Sequence, residues 1–187
     1  MARQKTNNQV SGIQSKMMVE KINSIHNDEL ESWTEEFWQW SCHIYQNQDV
    51  AKICIAVQDT LGLNVNYLLL ALWCEQKMIP MNQVIWQKIQ SESQQAVDAV
   101  SYIRAKRLTL KGKSEDAYQQ ALLIELKAEQ QHQKQAIQSL FKQFQGFNRN
   151  LASQANMQAY LETNQVNAED QATVQQLGQL VQNISQI

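Results

Sequence analysis

The polar side chains best suited to recognise a ligand lie in one short segment, beside an apolar helix. Gln58, Asp59, Asn64 and Asn66 place three amides and one carboxylate within nine residues. An amide offers a donor and an acceptor side by side, whereas an ionised carboxylate only accepts. The segment therefore favours a hydrogen-bonding ligand or partner site. The alternative is a structural corner, in which Asn64 caps a helix and Asn66 satisfies loose carbonyl groups.

Asp59 is expected to need a cation. It lies near the end of a predicted helix, where the macrodipole disfavours a carboxylate by a few tenths of a kcal/mol. Arg104 and Arg107 are the obvious partners later in the chain. We therefore expect Asp59 to be at least half buried and to form a salt bridge with one of these arginines.

A basic segment closes a predicted long helix. Its members are Arg104, Lys106, Arg107, Lys111 and Lys113. Cations suit a helix C-terminus, which is the structural interpretation. The same charges could attract the phosphates of RNA or an acidic partner. No aromatic residue lies between Tyr102 and Tyr118, so a base-stacking platform is not indicated.

The Glu-x-x-His sequence from Glu129 to His132 has the spacing of a metal-binding helix. Helical di-iron proteins use two such motifs and two further glutamates, but this chain has no second copy. We predict no metal site, and expect Glu125 or Glu129 to pair with Arg104 or Arg107 instead. Nothing resembles a nucleophile elbow, a P-loop or a dinucleotide fingerprint, so no catalytic residue and no cofactor is assigned.

Apolar spacing predicts the helices that must position these groups. The expected helices span about 27–46, 49–61, 64–79, 82–110 and 114–144, with Asp49, Asn64 and Ser114 as N-caps and Gly62 as a C′ residue. The third is apolar on every side, so it should lie at the centre of the fold. The last two carry heptad-like seams and should form a long antiparallel hairpin.

Each long helix has its own seam of residues that are expected to face the other helix. In the first long helix the seam is Trp86, Ile89, Ser93, Ala96, Val100, Ile103 and Arg107. In the second it is Leu122, Leu126, Glu129, Gln133, Ala136, Leu140 and Phe144.

The chain is divided into three parts by composition: a polar N-terminal tail over 1–26, a helical core domain over 27–146 and an Asn/Gln-rich extension over 147–187. The extension carries an apolar stripe with spacing 3, 4, 3, which is typical of an amphipathic helix, although a mobile tail is the alternative. The stripe consists of Val174, Leu177, Val181 and Ile184. We expect the extension to be dispensable for folding but needed for association, with the domain itself, a second copy or another protein as its partner.

Composition supports an all-α protein, a compact helical bundle with the long hairpin and a C-terminal amphipathic helix or tail. One proline and five glycines are too few for folds rich in tight turns. The net charge of −2 excludes a polycation, and three cysteines without CxxC spacing indicate reduced thiols. No apolar run is long enough to cross a membrane. We expect a cytoplasmic protein that does not bind membranes.

Part of the sequence resembles the signature of a small bacterial family of all-helical proteins of unknown function. The matching blocks are Trp38-Gln-Trp-Ser41, Val50-Ala51, Ile53-Cys-Ile-Ala-Val-Gln-Asp59, Gly62-Leu-Asn-Val-Asn66-Tyr-Leu-Leu-Leu70 and Trp73. Weaker similarity continues through 104–107 and 125–129. The resemblance covers roughly residues 30–135. It implies a compact helical fold and supplies neither an activity nor a catalytic residue.

Two functions from different classes remain open. The first is a non-enzymatic interaction or regulatory protein that binds a protein or ribonucleoprotein partner through the basic segment and the C-terminal helix, or forms a homo-oligomer through that helix. The second is a small-ligand-binding protein or enzyme with a tryptophan-lined pocket near Asp59 and Asn66. The candidate residues for a ligand or partner are Gln58, Asp59, Asn64, Asn66, Arg104, Lys106 and Arg107. Tryptophans at helical spacing are, however, more often part of a core than of a pocket.

Overall fold

The computed structural model describes residues 27–145 and 156–184, and this part of the chain folds into seven α-helices without a strand. They are α1 (27–45), α2 (Gln48–Leu61), α3 (Val65–Gln76), α4 (Gln83–Leu108), α5 (Glu115–Gln145), α6 (Asn156–Thr163) and α7 (Ala168–Ile184). The all-α prediction is confirmed. The predicted tail over 1–26 and the boundary at Gly146 lie outside the described residues. None of the described helices is long and apolar enough to cross a bilayer.

The helix ends follow the predicted caps with one correction. Asn64 caps α3 by accepting from the backbone N–H groups of Asn66 and Tyr67, and Gly62 ends α2 with a left-handed φ of 65°. Asp49 was predicted to cap α2, but the cap is Asn47, whose Oδ1 accepts from the N–H groups of Asp49 (3.0 Å) and Val50 (3.2 Å). Asp49 lies instead in the first turn, where the helix dipole favours its charge.

Helix α3 is the centre of the fold, as its all-round apolar sequence predicts. Eight consecutive residues, from Tyr67 to Cys74, are buried, and these include Leu69 (3% exposed) and Leu72 (4%). The helix ends at Gln76, before Pro80, and the chain turns through Met78 with a φ of 54°. Such complete burial requires neighbours on every side, which the other helices supply.

Helices α4 and α5 form the long antiparallel hairpin. Trp86, Ile89, Ser93, Ala96 and Val100 are buried along α4, as the predicted seam requires. On α5 the buried seam members are Gln133, Ala136 and Leu140; the side chain of Phe144 lies outside the description.

Leu126 is an exception on the α5 seam, because it is 47% exposed. At that level of the hairpin Glu125 takes the inward position. Neighbouring helical residues lie about 100° apart, so they cannot both face α4.

Helices α6 and α7 pack into the same core as the earlier helices. Tyr160 and Leu161 of α6 are each 1% exposed, and Val174 and Leu177 of α7 are fully buried. α6 lies against α3 and α4, while α7 lies against α2. The partner of the C-terminal stripe is therefore the domain itself. This packing does not support the expectation that the segment is dispensable for folding.

Candidate functional site

A cavity of about 300 Å³ opens between α1, α2, α3, α4 and α5, in the half of the hairpin nearer its turn. It is lined by polar and apolar side chains, which are Trp38, Ser41, Cys42, Tyr45, Gln46, Gln58, Asn64, Val65, Asn66, Leu69, Val97, Val100, Ser101, Arg104, Leu126, Glu129 and Gln133. Its size is at the lower end of the range of roughly 300–1,000 Å³ for small-molecule sites.

Two buried side chains, His132 and Gln133, and the partly buried Asn66 are linked by hydrogen bonds beside this cavity. Asn66 Nδ2 lies 3.2 Å from His132 Nδ1, and Asn66 Oδ1 accepts from Gln133 Nε2 at 2.7 Å. An amide nitrogen only donates, so His132 Nδ1 is the acceptor. Burial lowers the pKa of His132 to about 4, so the ring is neutral near pH 7. These hydrogen bonds connect α3 to α5 through uncharged side chains.

Two polar atoms of these hydrogen-bonded side chains lack a partner. Gln133 Oε1 and His132 Nε2 are buried and have no hydrogen-bond partner among the described residues. Reversing both amides together with the histidine tautomer would preserve the two internal bonds and still leave the outer atom of Gln133 unpaired. Ser41 Oγ, also on the cavity wall, is buried without a partner in the described part. A folded protein satisfies most buried polar atoms, so Ser41 and Gln133, which line the cavity, are the candidates for contact with a ligand.

Arg104 forms the charged edge of the cavity and joins three helices there. Its Nε donates to Glu125 Oε1 (2.8 Å), its Nη1 to Gln58 Oε1 (2.8 Å) and its Nη2 to Glu129 Oε1 (2.6 Å). The expected pairing between these arginines and glutamates is confirmed. Arg104 connects α4 to α2 and α5, so it holds the cavity edge in place.

Arg107 completes the network one turn further along α4. It donates to Glu125 and, through Nη1, to Tyr118 Oη at 2.7 Å. Burial alone would raise the pKa of Glu125, but hydrogen bonds from Arg107 and Arg104 outweigh it and hold that pKa below the usual value. Two arginines therefore neutralise two glutamates within the fold.

Burial shifts the pKa of three groups that line the cavity, Glu129, Tyr45 and Cys42, towards the neutral form. Burial raises the pKa of Glu129, although Arg104 opposes this shift. Burial also raises the pKa of Tyr45 to about 12 and that of the Cys42 thiol above its ordinary value. A protonated thiol is a poor nucleophile, so Cys42 has no feature of a reactive cysteine.

The described residues contain no group of three or more His, Cys, Asp or Glu side chains that could hold a metal ion. In the Glu-x-x-His segment Glu129 bonds to Arg104 and His132 bonds to Asn66. The two side chains therefore serve separate networks.

The prediction for Asp59 is wrong. Asp59 is exposed and forms no ion pair with the described residues. Its neighbour Gln58 takes the bond to Arg104 instead. An exposed carboxylate at a helix end is stabilised by water and screened by salt, so the dipole cost does not require a buried partner.

The other predicted residues divide between the cavity and the surface. Gln58, Asn64, Asn66 and Arg104 line the cavity. Arg107 lies behind it in the ion-pair network, and Lys106 is exposed, with its Nζ 5.4 Å from the centre of the Tyr102 ring. Most of the predicted set is thus brought together.

Only one of the five tryptophans, Trp38, lines the cavity. Trp73 packs edge-on against Trp33, with ring centres 6.0 Å apart, and Trp86 packs on Tyr160 at 4.8 Å. The expected pocket near Asn66 is present, but it is not walled by tryptophans because most of the indoles fill the core.

The sequence profile of a family described as "Protein of unknown function (DUF2390)" matches residues 36–136. The chain belongs to this family. No curated protein and no solved structure matches it. The matched range contains every residue that lines the cavity, and it ends before α6 and α7.

Sequence reasoning missed Ser41 and Gln133 as candidate residues. Gln133 was placed on the α5 seam, where a polar residue one turn before Ala136 and Leu140 was the available signal. Ser41 lies between Trp38 and Tyr45 on the face of α1 that meets the cavity. The sequence at neither position shows that a polar atom will lack a hydrogen bond, because hydrogen bonds between helices depend on how the helices are rotated against each other.

Proposed function

We propose that this protein binds a small organic molecule in the cavity beside Asn66, Arg104 and Gln133. The observation that carries the proposal is Gln133, which lines the cavity and whose buried Oε1 has no hydrogen-bond partner among the described residues. A buried carbonyl oxygen without a donor costs about 1–3 kcal/mol. A ligand that supplies the donor recovers this free energy, so the free protein is organised for binding.

The alternative of a partner bound by the basic segment and the C-terminal helix loses its two main features. Arg104 and Arg107 are neutralised within the fold, and Val174, Leu177 and Val181 are buried. RNA binding stays a prediction that would rest on the exposed Lys106, Lys111 and Lys113.

The test is a screen of neutral, anionic and cationic fragments against the full chain by ligand-observed NMR. Ser101→Trp should block the cavity, because Ser101 is exposed and lines it. Ser91→Trp is the matched control, an exposed serine on the same helix that does not line the cavity. We expect fragments whose binding is lost in Ser101→Trp and kept in Ser91→Trp. A screen that finds no such fragment would reject the proposal.

A further inference from the structure

We infer, on the basis of the proposed ligand site, that the ligand is an uncharged, largely apolar ring system that donates an N–H or O–H hydrogen bond to Gln133. The inference combines three features of the cavity, which are its charge balance, its walls and the direction of the amide chain.

The charge balance disfavours ions of either sign. Among the described residues, Arg104 and Glu129 are the charged groups that line the cavity, and they bond to each other at 2.6 Å. An anion would have to compete with Glu129 and Glu125 for Arg104, whose three side-chain nitrogens each already have an acceptor. A cation would meet the guanidinium group. A neutral ligand leaves this network intact.

The walls favour a flat, apolar body. The apolar lining consists of Trp38, Val65, Leu69, Val97, Val100 and Leu126. Trp38 offers a ring face or edge against which an aromatic ring can stack. A volume of about 300 Å³ suits a ligand with one or two fused rings.

The amide chain sets the polarity of the hydrogen bond. In the structure Gln133 Nε2 donates to Asn66 Oδ1, so the free atom is Oε1, an acceptor. The reversed arrangement of the amides would instead present Nε2, a donor, and would favour a ligand that accepts a hydrogen bond. A ligand that lacks a donor would leave this oxygen unpaired, as it is in the free protein, whereas a ligand with a donor would satisfy it. Discrimination in favour of a donor is therefore expected, because leaving a buried polar group unpaired is costly.

The experiment compares indole with benzofuran, which has the same two-ring shape and an ether oxygen in place of the N–H group. Binding to the full chain is measured by calorimetry or ligand-observed NMR, with indole-2-carboxylate as the anionic analogue. We expect indole to bind about tenfold more tightly than benzofuran, which corresponds to about 1.4 kcal/mol. The carboxylate should bind more weakly than indole.

Gln133→Met removes the acceptor and keeps the side-chain length, so the indole preference should fall to about onefold. Gln131→Met, an exposed position on the same helix, should keep it. The ratio of indole affinity to benzofuran affinity in the wild-type chain tests the inference even if Gln133→Met fails to fold. Equal binding of the two probes, tighter benzofuran, tighter carboxylate, no binding of either probe, or an unchanged preference in a folded Gln133→Met chain would overturn the inference.

This result is separable from the test of the ligand site itself. If other fragments bind in a Ser101→Trp-sensitive way while indole does not, the cavity is a ligand site and the inferred ligand class is wrong.

Discussion

Asn156 and Gln133 are both buried amides that join distant helices, yet their hydrogen bonding differs. Asn156 Oδ1 accepts from the Met81 N–H, and its Nδ2 donates to the Ile79 carbonyl, each at 2.8 Å. The backbone carbonyl of Asn156 accepts a hydrogen bond from Trp86 Nε1 at 3.2 Å. Among the described residues, Gln133 makes one side-chain bond and its Oε1 has no partner.

The two amides also have different surroundings. Asn156 satisfies the irregular backbone between α3 and α4, in a region filled by Trp86 and Tyr160. Gln133 borders a cavity. The difference teaches that burial of a polar group does not by itself mark function. A satisfied amide stabilises the fold, whereas an unsatisfied amide beside open volume indicates recognition.

Removal of α6 and α7 should have the largest effect, because it deletes Asn156 and its whole side of the core. A chain ending at Gly146 loses at least six buried side chains, including Tyr160, Val174 and Leu177. Each contributes about 1.5–3 kcal/mol if large and apolar, so the loss approaches the whole stability of about 5–15 kcal/mol. We expect no cooperative thermal transition by circular dichroism. A truncated chain that melts within a few degrees of full length would contradict this packing.

Asn156→Ala should come next. It leaves the Met81 N–H and the Ile79 carbonyl buried without partners, at about 1–3 kcal/mol each. We expect a loss of about 2–5 kcal/mol in urea unfolding. Asn183→Ala, at an exposed asparagine on α7, is the control and should cost under about 1 kcal/mol. Similar losses of unfolding free energy in both variants would contradict the structural role of Asn156.

His132 should make stability depend on pH. Its pKa is lowered by burial to about 4, while an unfolded histidine titrates near 6.5. As the pH falls between these values, the unfolded chain gains a proton that the folded chain does not, so stability is lost. The loss between pH 6.5 and pH 5 should be about 2 kcal/mol.

The measurement is urea unfolding at both pH values. His132→Gln should reduce the loss over this range, and His43→Gln, at an exposed histidine, should not. A wild-type chain that is equally stable at pH 6.5 and pH 5 would show that His132 gains its proton freely in the folded state.

Gln133→Met should have the smallest effect on stability, under about 1 kcal/mol in either direction. The change removes one bond to Asn66, worth about 0.5–1.5 kcal/mol, but it also removes an unpaired buried carbonyl. Urea unfolding without ligand measures this difference. A loss of more than about 2 kcal/mol in unfolding free energy would show that Gln133, like Asn156, has a structural role. The contrast between the two amides would then not hold.

Local rules predicted most of the fold. Asn64 and Gly62 are cap residues whose roles depend on a few neighbouring residues, so sequence was enough. The buried α3 and the α4 seam follow from helical periodicity alone. The cap of α2 was misplaced by two residues because Asn47 and Asp49 are both good caps, and the choice depends on how α1 ends.

The candidate site was predicted only in part. Its position near Asn66 and Arg104 was anticipated, since polar residues beside an apolar helix are visible in sequence. The choice of Gln58 rather than Asp59 as the partner of Arg104 was not, because adjacent residues point about 100° apart and the rotation of α2 decides which one faces α4. The packing of α6 and α7 was missed for the same reason, since their composition does not reveal which surface they cover.

The contact between α2 and α7 has a consequence for how the chain emerges from the ribosome. The end of α2 at Leu61 and the start of α7 at Ala168 lie far apart in the sequence. At about 5–20 residues per second, α7 follows α2 by roughly 5–20 s. During that delay the face of α2 that α7 will cover, on a helix where Val50, Cys54 and Val57 are buried in the finished fold, has no cover from α7. That face of α2 therefore stays uncovered during synthesis until α7 has been made.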